Sequence, residues 1–339
     1  MSSSELPPSE VLQHVVDVHC HPTDAPSILP ESMEKLDITI CAMSSKPSDQ
    51  PLVYNLAKSH PRKVIPCFGY HPWFSHLVCL RGDVSKEDHY RDLFCTSSAE
   101  DLEDLEAFNT LLTSLPLPIP LDNLLVDLRR NLEEFPHAML GEVGLDRAFR
   151  IPYDYNASAR KLSPFTVPIQ HQITILQAQM DLAVELGRNI SLHSVKAHQP
   201  TMELLANMET KHGVDRWNKI SLDLHSCGFK PEMLKDIQRR YANAFLSLST
   251  VINGRSPNHL SLLKVCDPLR ILVESDYNDV DMCTEQTWGM IRTTADVKGW
   301  TIETEWNENE SDSSKWGVVR RLEENWLRFK AGHHSAKKK

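Results

Sequence analysis

The chain has 339 residues, 41% of them hydrophobic, and a formal net charge of −10 at neutral pH. That length is generous for one ordinary domain but suits a (β/α)8 barrel, which takes about 250 residues plus insertions. The acidic balance excludes a protein whose whole surface binds polyanions, so any nucleic-acid contact has to be local and metal-assisted. The eight cysteines form no C-x-x-C pair and read as reduced packing residues of an intracellular protein. No apolar run approaches the ~20 residues of a membrane span, and the polar start MSSSELPPSE does not resemble a signal peptide. The expected location is intracellular, in the cytoplasm and/or nucleus, and the expected state is a monomer.

In chain order, residues 1–14 read as an N-terminal tail and 15–330 as one barrel domain. Eight strand candidates follow: 15–19, 37–43, 63–73, 138–146, 189–195, 219–226, 243–250 and 270–276. They are short, apolar and β-branched, as buried parallel strands are. The last four begin about 25 to 30 residues apart, the length of a strand plus a crossover helix. Ile169, Ile173, Leu176, Met180 and Ala183 recur at helical spacing, and Gly187 stops that helix. Helices are also expected over 121–134, 197–212, 231–241 and 257–266. A last apolar stripe, Trp316, Val319, Leu322, Trp326 and Phe329, should close over the barrel. Two stretches break the rhythm and read as surface insertions: 76–137, with the acidic block EDLEDLE (100–106) and the proline cluster SLPLPIP (114–120), and 277–314, with ETEWNENESD (303–312). The basic tail 331–339 is expected to be disordered.

Five of the strand candidates end in side chains that could hold metal: His19, His21, Glu142, His193, His225 and Asp276. Imidazoles and carboxylates without thiolates point to a hydrolytic centre holding one or two divalent ions, Mg²⁺, Mn²⁺ or Zn²⁺. Each residue taken alone has another reading. A lone H-x-H is a weak signal, Glu142 could pair with Arg147, His193 and His225 could be satisfied core histidines, and Asp276 could cap the following helix. His71 in GYHPW suits an outer contact to a ligand or to substrate better than a metal ligand. The joint recurrence at strand ends favours a metal site at the C-terminal mouth of a barrel.

These residues resemble the TatD-related metal-dependent deoxyribonucleases of the amidohydrolase superfamily, over about residues 15 to 330. The resemblance rests on D-x-H-x-H (Asp17, His19, His21), G-x-H-P (Gly69 to Pro72), G-E-x-G-L-D (Gly141 to Asp146) and a helix with Gln172, Gln179 and Ala183. It continues through H-S at His193, the strand-six His225, E-S-D (Glu274 to Asp276) and N-x-x-x-F (Asn325, Phe329). It implies that His19, His21 and Asp276 hold one ion, that Glu142 bridges, and that Glu142, His193 and His225 hold a second. It also implies phosphodiester cleavage, in several such proteins as 3′→5′ exonucleases on DNA. The long insertions are similar to those of a fungal subgroup, some of whose members are described as partners of cell-cycle machinery.

The chain departs from the family pattern near the mouth. Val195-Lys196 stand where H-S is usually followed by Arg, and Ser226-Cys227-Gly228-Phe229 replace C-F-S-G. Trp73 stands where His is common, and Tyr277-Asn278 replace a small residue and Pro. The implied chemistry is metal-assisted hydrolysis with Glu142 and Asp276 as catalytic carboxylates, Asp276 accepting the water proton. Lys196, Lys230 or His71 could neutralise a phosphate oxygen, and Trp73 and Tyr277 could stack a terminal base. Two other readings stand beside the nuclease. One is a hydrolase of amides or lactones on the same scaffold. The other is an interaction protein that docks a protein partner through its acidic insertions and keeps the metal site as structure.

Overall fold

A computed structural model describes residues 6–25, 27–82, 84–95, 102–157, 159–254, 256 and 258–335. Eight strands form one parallel sheet: β1 (Val16–Cys20), β2 (Thr39–Met43), β3 (Val64–Phe68), β4 (Met139–Asp146), β5 (Ile190–Val195), β6 (Leu222–His225), β7 (Ala244–Leu248) and β8 (Ile271–Val273). They pair in sequence order, and β8 comes back beside β1. The seam is tied at its C-terminal end, where the Asp276 N–H donates to the His19 carbonyl (2.9 Å) and the His21 N–H to that of Tyr277 (2.8 Å). Asp17 closes it lower down, accepting hydrogen bonds from the Ser275 N–H (2.9 Å) and hydroxyl (2.5 Å). This is the expected (β/α)8 barrel, and all eight strand candidates contain a barrel strand. Their apolar character follows from burial on both faces, between the barrel interior and the ring of helices.

The expected helices are found as Leu121–Glu134, Ile169–Leu186, His198–His212, Pro231–Arg240, His259–Val265 and Val318–Ala331. The last lies across the N-terminal ends of the strands. Its Trp326 and Phe329 pack against Cys41, Met43, Cys67, Met139, Phe245 and Leu272. Asn325 Nδ2 donates to the carbonyls of Pro268 and Ile271, each at 2.9 Å. The asparagine and phenylalanine of N-x-x-x-F therefore plug and fasten the barrel floor.

Three boundaries differ from expectation. The second half of the 1–14 tail is ordered: Ser9–Leu12 form a helical turn with Val11 and Leu12 buried at the foot of β1, because these two apolar residues find the main core. Met1–Glu5 lie outside the described residues. The segment 277–314 is not one insertion, because Val280–Lys298 is a 19-residue helix that buries Val280, Cys283, Trp288 and Ile291. Only the chain after Gly299 is irregular. The basic tail stays on the barrel through residue 335. His334 donates its N–H to the Asn218 carbonyl and sets Nε2 against the Ser221 hydroxyl, both at 2.7 Å. The expected disorder of the tail, including Lys337–Lys339, concerns residues outside the description only beyond 335.

Within 76–137, Leu121–Glu134 is the crossover helix. The inserted part holds helices Lys86–Phe94 and Leu102–Ser114 and a short parallel ladder, Val78–Cys79 with Ile119–Pro120. The first two residues of the acidic block precede the second helix and lie outside the described residues. Tyr90, Phe108 and Leu111 of these helices form a second small core with Ile151, Phe165 and Val167 from the segment after β4. The insertion thereby backs a loop at the barrel mouth.

Candidate metal centre at the strand ends

All six expected ligands meet at the C-terminal mouth. His19 Nε2 lies 3.1 Å from His21 Nε2 and 3.6 Å from Glu142 Oε2, and His21 Nε2 lies 3.3 Å from the same oxygen. Asp276 Oδ1 completes this group at 3.9 and 3.5 Å from the two imidazoles. The other carboxylate oxygens face the remaining histidines. Glu142 Oε1 is 3.0 Å from His193 Nδ1 and 3.5 Å from His225 Nε2, and Asp276 Oδ2 is 3.8 Å from His225 Nε2. Donors about 2.1 Å from a common tetrahedral centre lie roughly 3.4 Å apart. The observed separations fall around that value, so the donor set fits a divalent ion. Glu142 presents one oxygen to each half of the cluster, as a bridging carboxylate must.

Local structure explains why these residues converge. At Gly144 a Cβ would come within 2.1 Å of the His193 carbonyl oxygen, and at Gly141 it would meet Met43 Sδ at 2.9 Å. The two glycines of G-E-x-G therefore let β4 lie close against its neighbours around an irregularity between Leu140 and Val143, where Glu142 enters the mouth. The helix glutamines grip strand ends. Gln172 accepts from the Asp146 N–H (2.8 Å) and donates to its carbonyl (2.9 Å), while Gln179 accepts from the Tyr70 N–H (2.8 Å). Lys196, Ser226 and Asp276, just beyond β5, β6 and β8, all have left-handed backbones with φ of 50°, 41° and 49°. Such conformations in non-glycine residues cost energy and concentrate at functional sites.

A second layer fixes the imidazoles. Glu274 Oε2 accepts from His225 Nδ1 (2.9 Å), which leaves Nε2 with its lone pair toward the centre. Ser191 Oγ meets His19 Nδ1 at 2.8 Å and likewise leaves Nε2 free. His193 turns Nδ1 inward and has Nε2 3.4 Å from Asp146 Oδ2, which also accepts from the Trp73 indole N–H at 2.6 Å. His71 differs. Its Nδ1 accepts from the Trp73 N–H (3.2 Å), so the proton of the neutral ring sits on Nε2, 3.2 Å from Glu142 Oε1. In this arrangement His71 faces Glu142 as a donor, although its ring also lies with Glu142 and His193 in a group of ligand-type atoms.

The electrostatics follow from this packing. Burial, and then the stacked His225 ring at 3.4 Å, push the His19 pKa down to about 4. Burial opposes charge on Glu142, yet His71, His19, His193 and His21 outweigh it and hold that carboxyl well below the usual range. Burial likewise opposes charge on His225 and His21, but Glu274 and Asp276 lift the first to about 10, and Glu142 lifts the second to about 9. With no other cation, protons neutralise the carboxylates. Ion binding would displace those protons, as it does wherever ligands must be deprotonated.

Above the cluster opens a cleft of about 510 Å³ to which each of the eight strands contributes through its C-terminal end or the segment that follows, from His21 after β1 to Asp276 after β8. His71 and Trp73, two of the expected substrate contacts, line it. The other three do not. Lys196 and Lys230 are exposed outside the cleft, Lys196 because its left-handed step breaks the strand alternation and Lys230 because it precedes the helix Pro231–Arg240. Tyr277 meets β1 through its backbone, and its side chain is not part of the lining. The cleft holds instead Phe149 and Tyr155, which nothing in the motifs indicated, although the aromatic and basic residues interleaved through DRAFRIPYDY were a usable signal. Glu274 and Asp146 stood inside quoted motifs, but their roles behind His225 and His193 could be seen only once the strands were side by side.

A (β/α)8 barrel with imidazoles and carboxylates gathered at its mouth is the architecture of metal-dependent barrel hydrolases. Residues 16–304 match the family described as TatD related DNase, and the chain belongs to that family. It is accordingly a hydrolase of the class acting on phosphodiester bonds, in a family that is metal-dependent. It is 30% identical to the Cut9-interacting protein scn1 of Schizosaccharomyces pombe over 86% of this chain and 95% of that protein. It is also 30% identical to the uncharacterized deoxyribonuclease YMR262W of Saccharomyces cerevisiae, over 78% of this chain and 84% of that one. Among solved structures, the fold is similar to that of YjjV, a TatD homologue from Escherichia coli K12. The TM-score is 0.57 at 14% identity, covering 94% and 98% of the two chains. An uncharacterized amidohydrolase from Saccharomyces cerevisiae gives 0.59 at 13% identity, covering 93% and 99%. Among the described residues, no helix is long and apolar enough to cross a membrane.

Proposed function

We propose that this chain hydrolyses phosphodiester bonds of DNA from a 3′ end, using one or two divalent ions held at the barrel mouth. The observation that carries this reading is the pair of carboxylates, Glu142 and Asp276, each with its two oxygens divided between the His19/His21 and the His193/His225 halves of the site. His19, His21 and Asp276 would hold one ion, Glu142 would bridge, and Glu142, His193 and His225 would hold a second. When bound, such ions polarise a phosphoryl oxygen and acidify water. Asp276 takes the proton of the attacking water. Its side chain is 13% exposed, against 6% for Glu142, and so stands nearer the substrate side. His71 donates from Nε2 toward Glu142 and holds that carboxylate in place. The cleft volume suits a nucleotide-sized unit, which is the reason for favouring a strand end over the interior of a duplex.

A second reading is docking to a protein partner, favoured by the description of the fission-yeast relative as Cut9-interacting. The inserted helices and the irregular chain after Gly299 are the surfaces it would use. The two readings separate on Asp276→Asn. After chelation and re-supply of Mg²⁺, Mn²⁺ or Zn²⁺, that variant should retain at least one ion yet lose about 10²- to 10⁴-fold in hydrolysis of end-labelled DNA. A loss below about tenfold moves the proton acceptor elsewhere. Wild-type protein inactive with every metal on every phosphodiester favours the docking reading.

A further inference from the structure

We infer that the segment after β4, residues 147–157 and 159–165, is a binding lip for the single-stranded polynucleotide that leads into the cleft. This inference rests on the reading of the site as a phosphodiesterase and adds to it the surface that holds the chain beyond the scissile bond. The lip is a built element. Antiparallel backbone bonds join the Ile151 N–H to the Phe165 carbonyl (3.0 Å), Tyr153 to Lys161 (2.9 Å) and Ser163 to Ile151 (2.8 Å). The insertion packs behind it through Phe108 and Leu111.

Its composition contrasts with the rest of the molecule. Between 147 and 161 it carries Arg147, Arg150, Arg160 and Lys161 against one acidic residue, Asp154, in a chain whose net charge is −10. Arg150 is spent on the Ser163 carbonyl at 2.9 Å. Arg147 and Arg160 are exposed, and the Arg160 guanidinium lies over the Tyr155 ring at 4.4 Å. Two aromatic residues of the lip, Phe149 and Tyr155, face the reaction site. Phe149 stacks on Trp73 with centroids 4.7 Å apart and planes 12° from parallel, and both line the cleft with Tyr155. Among the described residues, no Lys or Arg lines the cleft itself.

Cations outside, flat rings at the entrance and metal-type ligands inside match the order in which a strand presents flanking phosphates, bases and the scissile phosphate. Single strands are held by this combination of charge and stacking. A rigid duplex keeps its bases stacked on each other and cannot place them on Phe149. An acidic peptide would use the charges alone.

The test is a fluorescence-anisotropy titration of a short labelled oligothymidylate with the full chain, in chelator and across about 50 to 200 mM salt. Working without turnover keeps this readout independent of the hydrolysis question: an inactive wild type defeats the phosphodiesterase reading, whereas the lip stands or falls on binding. Arg147→Glu with Arg160→Glu should weaken binding at least tenfold and make the salt dependence shallower by about 1.4 in log–log slope, two phosphate contacts at ~0.7 each. Phe149→Ala should weaken binding about fivefold or more with the slope unchanged, because stacking is not screened. Arg147→Lys keeps the charge and should stay within about twofold of wild type, and an unchanged urea-unfolding midpoint of the charge-reversed protein guards against a folding defect. The inference is overturned if wild type does not bind the oligonucleotide, if charge reversal or Phe149→Ala leaves affinity and slope unchanged, or if duplex DNA or polyglutamate binds as tightly.

Discussion

Replacing Glu274 with Gln tests whether the layer behind the ligands sets ion affinity. Glu274 is fully buried and spends Oε2 on His225 Nδ1 at 2.9 Å and on the Ser247 hydroxyl, with Oε1 accepting from Ser226 at 2.5 Å. Gln has the same shape but half the acceptors and no charge. If its carbonyl faces Ser226, its NH₂ opposes the His225 Nδ1–H, two donors in contact. If its carbonyl faces His225, the tautomer survives but the imidazole loses its anionic partner, and Nε2 becomes a poorer donor to an ion. Loss of such a partner costs about 10- to 100-fold in metal affinity, which is about 1.4 to 2.7 kcal/mol. Chelator-competition titration of Glu274→Gln and wild type with Zn²⁺ or Mn²⁺ measures it, with urea unfolding of both proteins as a control. Affinity within about twofold of wild type in a folded variant would refute the argument, because His225 would then need no carboxylate behind it.

Two further outcomes follow from the packing. Gly144→Ala places a methyl 2.1 Å from the His193 carbonyl oxygen, and should destabilise the barrel by about 3 kcal/mol or more through overpacking between two central strands; urea unfolding checks it, and a loss under about 1 kcal/mol contradicts it. His76 is buried with Nδ1 unpartnered, and burial pushes its pKa down to about 3. Above the unfolded value of 6.5 both states are neutral, so the group contributes no pH dependence. As pH falls from 6.5 toward 3 the unfolded chain takes up a proton that the fold refuses, and stability drops by up to about 1.4 kcal/mol per pH unit. His76→Leu should flatten the stability profile between pH 6.5 and 5 relative to wild type, and an unchanged profile refutes the assignment.

The parts of the fold that sequence revealed are those where burial is one-sided in chemistry. Strands β1 to β8 are covered on both faces, so they read as mainly apolar runs despite buried polar residues such as Asp17, Ser191 and Asp223 within them, and the metal-type residues stood out because they recur at one end of those runs. The helix Val280–Lys298 was hidden for the opposite reason. Its buried face includes Thr287 and Thr294, and Thr294 satisfies its hydroxyl within the helix by donating to the Met290 carbonyl at 2.9 Å. A threonine that bonds its own helix can be buried while reading as polar. Substrate contacts were legible only in part. His71 and Trp73 follow β3 closely, at the start of the 3-10 turn Pro72–Leu77, whereas the left-handed step at Lys196 redirects the chain in a way that no spacing rule anticipates. Phe149 and Tyr155 lie in a loop whose position depends on the small core it shares with the inserted helices, a contact between segments far apart in the chain.

The account depends most directly on where a divalent ion binds. An anomalous difference map from crystals loaded with Mn²⁺ or Zn²⁺ should place one or two peaks between Glu142, Asp276 and the four histidines, with a zinc peak about 2.0–2.2 Å from His19 Nε2 and His21 Nε2. A second buried group, Asp17 with Cys20 and Cys283, also has ligand-type atoms close together. A peak there with none at the barrel mouth, or no peak in fully loaded crystals, would contradict the assignment of this centre.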